Sequence, residues 1–329
     1  MESSQDHDPE VPEPAHPHKR SEPLPWETPK PLEDEPHALA RVEAIMKSPS
    51  YRQADHDVDF LNSDDTRGVR LQIDYLKAET LLKQHGIEHT IVVFGGTRIS
   101  EPLAARRQVD TLRSHLEDTP NDADLRQRLK VAQRILEKSR YYDVAREFGR
   151  LVGEFGQGPE DARVTLITGG GPGMMEAANR GAFDVGAKSI GLNITLPREQ
   201  YPNPYVTPDL CFRFHYFAIR KLHFLKRAKA LVAFPGGYGT MDELFETLTL
   251  IQTRTIQPLP VVLVGRQFWQ RAVDVDFLVE EGVIDPEDRA LFWYAETADE
   301  IWDSIQQWHC ACGKPLLNNN SCQSGDKPS

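Results

Sequence analysis

Short apolar runs alternate with segments of helical periodicity along most of this chain. The apolar runs are typical of buried strands, and they occupy residues 90–94, 163–168, 188–194, 209–214, 230–234 and 259–264. In the other segments apolar positions recur every three or four residues, which predicts helices at 38–46, 67–84, 101–156, 177–185, 216–228, 241–251, 268–279 and 297–308. Because strands and helices alternate, we predict an α/β fold, a doubly wound (Rossmann-like) parallel sheet in a single domain over 66–308.

Polar segments flank this predicted domain. Residues 1–36 hold nine of the 24 prolines and are mostly acidic, and we expect the whole extension 1–65 to be disordered or weakly ordered. A disordered tail is expected over 309–329. Within the domain, the charged segment 101–156 is predicted to be a helical insert with a break at 119–122.

Three predicted strands run directly into glycine-rich segments. These are Gly95-Gly-Thr-Arg98, Gly169-Gly-Gly-Pro-Gly-Met-Met-Glu176 and Pro235-Gly-Gly-Tyr-Gly-Thr-Met-Asp-Glu243. A glycine turn that opens a helix presents backbone N–H groups and the positive end of the helix dipole to an anion. Glycine also lets the backbone approach a phosphate closely. We therefore expect phosphate-binding turns here, with Arg98 either a phosphate ligand or a solvated loop side chain.

Neither common phosphate motif fits these turns. Met174 stands where the dinucleotide fingerprint starting at Gly169 requires its last glycine. Ala187 stands where the Walker motif, spaced on Gly181 and Gly186, requires lysine. Two separate cradles without either motif favour a nucleoside monophosphate or a similar small phosphate ester.

Two charged residues lie near these turns. Thr240 and Glu243 have the spacing of a capping box, so Glu243 is either a structural cap or a group that acts on a bound molecule. Arg220 shares one face of its predicted helix with His223 and Arg227, so it is either a solvated surface side chain or part of the site.

Composition excludes several classes of function. The formal net charge of −12 argues against a nucleic-acid polymer as partner. No apolar run approaches the length of a membrane span, and the acidic N-terminus lacks the apolar core of a secretory signal, so a cytoplasmic protein is expected. The cluster of His309, Cys310, Cys312 and Cys322 lacks the repeated spacing of zinc sites, and no metal is expected.

Three segments together resemble the LONELY GUY (LOG) family, whose members have been described as possible lysine decarboxylases. These are the 169–176 turn, the Arg220-Lys221 pair, and the 235–243 segment, which matches P-G-G-x-G-T-x-x-E at every fixed position. The resemblance covers about residues 88–308 and is closer to the longer bacterial branch. Nothing in the sequence supports a decarboxylase, since no lysine and partner for a pyridoxal cofactor are visible.

The resemblance implies a phosphoribohydrolase, which cuts the N-glycosidic bond of a nucleoside 5′-monophosphate. It implies that Arg220 and Glu243 are catalytic, that no cofactor is needed, and that the protein forms a homodimer or a higher homo-oligomer. The predicted phosphate- and substrate-binding residues are Gly95, Gly96, Arg98, Gly170, Gly171, Gly173, Met174, Lys221, Gly236, Gly237, Tyr238, Gly239 and Thr240. The alternative is a carrier of the same fold that binds a nucleotide-like cofactor without hydrolysing it.

Overall fold

The computed structural model describes residues 11–155, 164–197 and 201–316. The chain divides into two compact units, residues 1–68 and 69–329. The first unit contains helix α1 (Ala38–Met46), as predicted, and the short helix α2 (Val58–Leu61). Asp57 caps α2 by accepting a hydrogen bond from the Phe60 N–H at 3.2 Å.

The second unit is built on a parallel sheet. Within the described residues its strands are β1 (His89–Phe94), β2 (Val164–Thr168), β3 (Ser189–Ile194), β4 (Cys211–Phe214), β5 (Ala228–Ala233), β6 (Val261–Val264) and β7 (Trp293–Ala295). Their order is β4-β3-β2-β1-β5-β6-β7, and every neighbouring pair is parallel. Strands β2 to β4 are added on one side of β1, and strands β5 to β7 on its other side. The strand order therefore switches direction between β1 and β5, and ligands bind at such a switch point in open α/β sheets.

Helices cover both faces of the sheet. They are α3 (Arg67–Gln84), α4 (Pro102–Asp118), α5 (Ala123–Lys138), α6 (Arg140–Phe155), α7 (Met174–Asp184), α8 (Phe217–Lys226), α9 (Tyr238–Gln252), α10 (Arg266–Ala272), α11 (Val275–Glu280) and α12 (Ala298–Ala311). Helices α6, α7 and α12 pack on one face, and α3, α8 and α9 on the other. The predicted doubly wound α/β fold is confirmed.

The predicted insert at 101–156 has two parts. Helices α4 and α5 pack mainly on each other, around Val109, Leu112 and Ala132. Helix α6 instead belongs to the sheet core, where it buries Tyr142 and Phe148. Only α4 and α5 therefore form a separate helical arm.

Two expectations about the C-terminal part are wrong, and one strand there was not predicted. The segment 268–279 is not one helix, because Val273 is extended and the Asp274 carboxylate caps a new helix at the Phe277 N–H, 3.0 Å away. The three-residue strand β7 was missed, since so short a run carries no periodic pattern. Residues 309–316 are not a disordered tail, because α12 continues to Ala311 and Leu316 is buried.

Candidate active site

Four N–H groups at the start of α9, after the turn that follows β5, have no acceptor among the described residues. Gly237 is the N-cap, and the first helical hydrogen bond runs from the Met241 N–H to the Gly237 carbonyl. The N–H groups from Gly237 to Thr240 therefore have no carbonyl partner in their own helix. Gly237, Tyr238 and Gly239 are exposed, and the Tyr238 side chain is 94% accessible. This helix end is open to an anion from solvent.

Two glycines in this turn have no structural reason to be glycine. A Cβ atom added to Gly237 or Gly239 would meet nothing within 4 Å, and neither residue has a positive φ. By contrast, a Cβ on Gly236 would lie 2.1 Å from the Thr240 hydroxyl oxygen. Glycine at 237 and 239 leaves the backbone open to the close approach of a ligand.

The capping box expected from Thr240 and Glu243 does not form. Thr240 is the third residue of α9 rather than its N-cap, and no side chain caps this helix. The capping role for Glu243 is therefore wrong, because the helix begins three residues earlier than the spacing implied. The Glu243 carboxylate is left without that structural purpose.

Glu243 and Arg220 come together in the interior. Arg220 Nη1 lies 3.9 Å from Glu243 Oε1, and their side chains are only 14% and 8% accessible. Arg220 Nε donates to the Leu192 carbonyl of β3, 2.7 Å away. The expectation of a solvated Arg220 is wrong, because these contacts hold its guanidinium under the protein surface.

The glycine at 169 makes room for this arginine. A Cβ atom there would lie 2.7 Å from Arg220 Nη2. The end of β2, strand β3 and the first turns of α9 thus converge on one guanidinium. The contact with Leu192 uses only a backbone carbonyl, which no sequence pattern predicts.

Burial dominates the electrostatics of this pair. It raises the pKa of Glu243 to about 7, although Lys221 and Arg220 both lower that pKa. Burial also lowers the pKa of Arg220, which the Glu243 and Asp242 carboxylates oppose. The guanidinium stays charged at neutral pH. Glu243 therefore changes its protonation state near neutrality, which suits a group that accepts a proton.

Lys221 does not lie free at a glycine turn. Its ammonium binds two carboxylates of α9, Asp242 at 2.8 Å and Glu246 at 2.9 Å. Asp242 and Glu246 lie on either side of Glu243 in the sequence, and Lys221 directly follows Arg220. The two ion pairs join α8 to α9 and so help to fix the distance between Arg220 and Glu243.

The second glycine turn is mostly satisfied within the protein. The Gly170 N–H donates to the Thr168 hydroxyl at 2.9 Å, and the Met174 N–H donates to the Gly96 carbonyl at 3.2 Å. Asn203 binds the turn from the other side, donating from its backbone to the Gly170 carbonyl at 2.8 Å and from its amide to the Gly171 carbonyl at 3.1 Å. Gly170 and Met174 are thus not open phosphate donors here. The role of Asn203 was missed because it depends on a loop fold.

The turn after β1 joins the other two. The Gly96 N–H donates to the Pro235 carbonyl at 2.9 Å. The N-cap of α7, Gly173, has a positive φ of 75°, and a Cβ there would lie 2.4 Å from the Gly96 carbonyl oxygen. Gly95 is buried against Met174 and Phe234. Of this segment's predicted ligands, Arg98 is the one whose side chain is exposed.

The described residues contain no group of three or more His, Cys, Asp or Glu side chains placed to hold a metal ion. In the same part of the chain, no helix combines the length and apolar character needed to span a bilayer.

The fold and this site define an α/β protein with a doubly wound parallel sheet, an open helix N-terminus and a buried carboxylate–arginine pair. A family model described as "Possible lysine decarboxylase" matches residues 175–305. A cytokinin riboside 5′-monophosphate phosphoribohydrolase of Arabidopsis thaliana is 30% identical over 176 residues, covering 52% of this chain and 77% of the relative. A second cytokinin riboside 5′-monophosphate phosphoribohydrolase, LOG from Oryza sativa subsp. japonica, is 31% identical over 176 residues, covering 52% of this chain and 68% of the relative. The chain belongs to the LOG family.

One solved structure is also similar in fold. It is described as the molybdenum cofactor binding protein from the phototrophic bacterium Rippkaea orientalis, and is 17% identical with a TM-score of 0.40. The match covers 67% of this chain and 97% of that one. A likeness at this level carries no inference about function.

Substituting Gly239 by alanine tests whether its missing side chain serves a ligand. The variant should be as stable as the wild type or up to about 1 kcal/mol more stable, because alanine favours helix over glycine. Its KM for a phosphorylated substrate should rise about 10-fold or more, since one strong hydrogen bond is disturbed. Thermal unfolding and steady-state kinetics measure the two effects. The control is Gly68→Ala in α3, also a helical glycine with nothing within 4 Å, which should leave KM unchanged.

The raised pKa of Glu243 predicts how stability responds to pH. Because the folded protein holds this proton more tightly than the unfolded chain, the contribution is fully present below about pH 4.5 and is lost as the pH rises through about 7. Relative to Glu243→Gln, the wild type should therefore lose free energy of unfolding over this range. Urea unfolding of both proteins at several pH values gives the difference. A difference that does not change with pH would contradict the raised pKa.

Proposed function

We propose that this protein hydrolyses the N-glycosidic bond of a nucleoside 5′-monophosphate, releasing the base and ribose 5-phosphate. One observation carries the proposal. A buried carboxylate, held beside an arginine, lies on the same helix as a free N-terminus with room for a phosphate. The plant relatives are named phosphoribohydrolases, and we propose the same class of reaction for this chain.

The phosphate is placed at the start of α9. The N–H groups of residues 237–240 donate to its oxygens, and the helix dipole favours its negative charge. Glycine at 237 and 239 lets the oxygens approach the backbone. The phosphate then anchors the ribose near Glu243, which follows Thr240 by less than one turn.

Glu243 acts on the anomeric carbon. Cleavage passes through a state in which C1′ and the ring oxygen share positive charge. The carboxylate stabilises that charge and takes a proton from the attacking water, whose oxygen forms the new bond to C1′. The base leaves with the electrons of the broken C–N bond and is protonated from solvent. Burial suits this role because the low dielectric strengthens the interaction with the developing cation.

Arg220 has a positioning role and does not transfer a proton. A guanidinium does not deprotonate in this range, so it cannot be a general acid or base. Its Nε is bound to Leu192, while Nη1 and Nη2 face Glu243 and Gly169. It can therefore hold the carboxylate in place and bind ribose hydroxyls or phosphate oxygens with two parallel hydrogen bonds.

A carrier without catalysis fits the site less well. A binding protein gains nothing from a carboxylate buried near a phosphate, because like charges weaken binding. Glu243 is 6% accessible and is not needed as a cap. The carboxylate therefore favours the hydrolase.

The first test replaces Glu243 by glutamine. The variant keeps the size and hydrogen-bonding capacity but loses the charge, so turnover should fall by at least about 10². The assay incubates purified protein with AMP, other purine and pyrimidine monophosphates and isopentenyl-AMP, and measures free base by chromatography.

Glu246→Gln is the matched control, one turn further along α9 and bound to Lys221. It should lose less than about 10-fold, because its effect is indirect. Near-normal turnover by Glu243→Gln would remove the carboxylate from the mechanism. If wild-type protein binds a monophosphate but releases no base from any of the panel, the carrier alternative is favoured.

The second test is the pH dependence of catalysis. A base with a pKa of about 7 is active when deprotonated, so kcat/KM should fall about tenfold per pH unit below 7 and level off above it. The substrate phosphate also titrates, near pH 6. Calorimetry of ribose 5-phosphate binding over the same pH range measures the effect of this phosphate titration, so that it can be separated from the titration of Glu243. A profile that rises on acidification would mean that the protonated carboxyl is the active form.

A further inference from the structure

A basic cleft lies beside the proposed active site. It has a volume of about 620 Å³ and is lined by residues of α5, α6 and α10. Four of the lining residues are cationic, Arg134, Lys138, Arg140 and Arg271, and one is acidic, Glu137. The chain as a whole carries a net charge of −12, so this cluster of positive charges is opposite in sign to the net charge of the protein.

The cations come from three different helices. Arg134 and Lys138 are one turn apart on α5, and the Lys138 ammonium donates to the Arg134 carbonyl at 3.2 Å. Arg140 begins α6, where it pairs with Glu296 at 3.0 Å. Arg271 lies in the last turn of α10. Counting Glu137 and Glu296 as counter-charges, the cleft retains an excess of two positive charges.

Part of this charge has another explanation. Lys138 and Arg271 lie in the last turns of α5 and α10, where the helix dipole favours cations. That accounts for two of the four charges. It does not explain why Arg134, a full turn back from the end of α5, and Arg140, at the start of α6, line the same cleft.

We propose that this cleft binds a small molecule with a chain of two or three phosphates. Its volume lies within the range of small-molecule sites. The charges are spread over several helices, which suits a chain of phosphates better than one compact anion, and guanidinium groups bind phosphate oxygens in pairs. The half-buried Phe268 also lines the cleft and provides a ring on which a nucleobase can stack.

The cleft is next to the turn assigned to the substrate phosphate. A Cβ on Gly265, which has a φ of +89°, would lie 2.7 Å from the Tyr141 hydroxyl oxygen and 3.4 Å from Pro235 Cγ. Tyr141 lines the cleft, and Pro235 begins the 235–243 segment. Gly265 is thus close both to Tyr141 of the cleft and to the first residue of the 235–243 segment. Binding in the cleft does not depend on the proposed hydrolase activity.

Calorimetry on the full chain tests the proposal with two probes, ATP and inorganic triphosphate. We expect saturable binding of at least one, weakened 10-fold or more in the double variant Arg134→Gln/Arg271→Gln. Both side chains are exposed, so the variant should fold normally. Equal affinities would assign recognition to the phosphate chain alone, and tighter binding of ATP, lost in Phe268→Ala, would add the base.

The control removes the same charge elsewhere on α5. Arg128→Gln/Lys130→Gln changes two exposed cations outside the cleft and should leave affinity within about twofold of wild type, because screened distant charges contribute little. The proposal is overturned if neither probe binds saturably. It is also overturned if the cleft variant and the control variant bind equally, because the probe would then occupy the active site or the general surface.

Discussion

The contact between Glu243 and Arg220 is the constraint around which the site is built. A carboxylate this deeply buried is costly unless a cation lies close by. The cation is itself held by a backbone carbonyl of β3 and by the space that glycine leaves at the end of β2. The pair therefore exists only when the sheet edge and α9 are correctly assembled. The candidate chemistry therefore depends on the assembled fold.

The two glycine-rich turns that precede α9 and α7 differ in their hydrogen bonding. The turn before α9 keeps its N–H groups free, while the turn before α7 has donated those of Gly170 and Met174 to protein acceptors. Asn203 and Gly96 fix this second turn from two sides. We propose that the first turn binds the ligand, whereas the second positions Gly169 against Arg220. Two turns of similar composition differ in hydrogen bonding because their neighbours differ.

Most of the fold could be predicted from the sequence, because buried parallel strands and amphipathic helices leave strong patterns. The parallel sheet, the helices at 38–46 and 67–84, and the break at 119–122 follow from such patterns. The order of the strands in the sheet was not predicted. The details of the site were harder. The spacing of Thr240 and Glu243 fits a capping box, but the glycines before them let α9 begin earlier. Burial of Arg220 depends on a distant carbonyl, which no local pattern records.

The central claim is that Glu243 faces the anomeric carbon of a nucleotide whose phosphate lies on the N-terminus of α9. A crystal structure of the Glu243→Gln protein with a bound nucleoside monophosphate tests this most directly. We expect phosphate oxygens within hydrogen-bond distance of the N–H groups of residues 237–240, and the side chain of residue 243 adjacent to C1′. A phosphate bound elsewhere, or residue 243 packed away from the ribose, would contradict it.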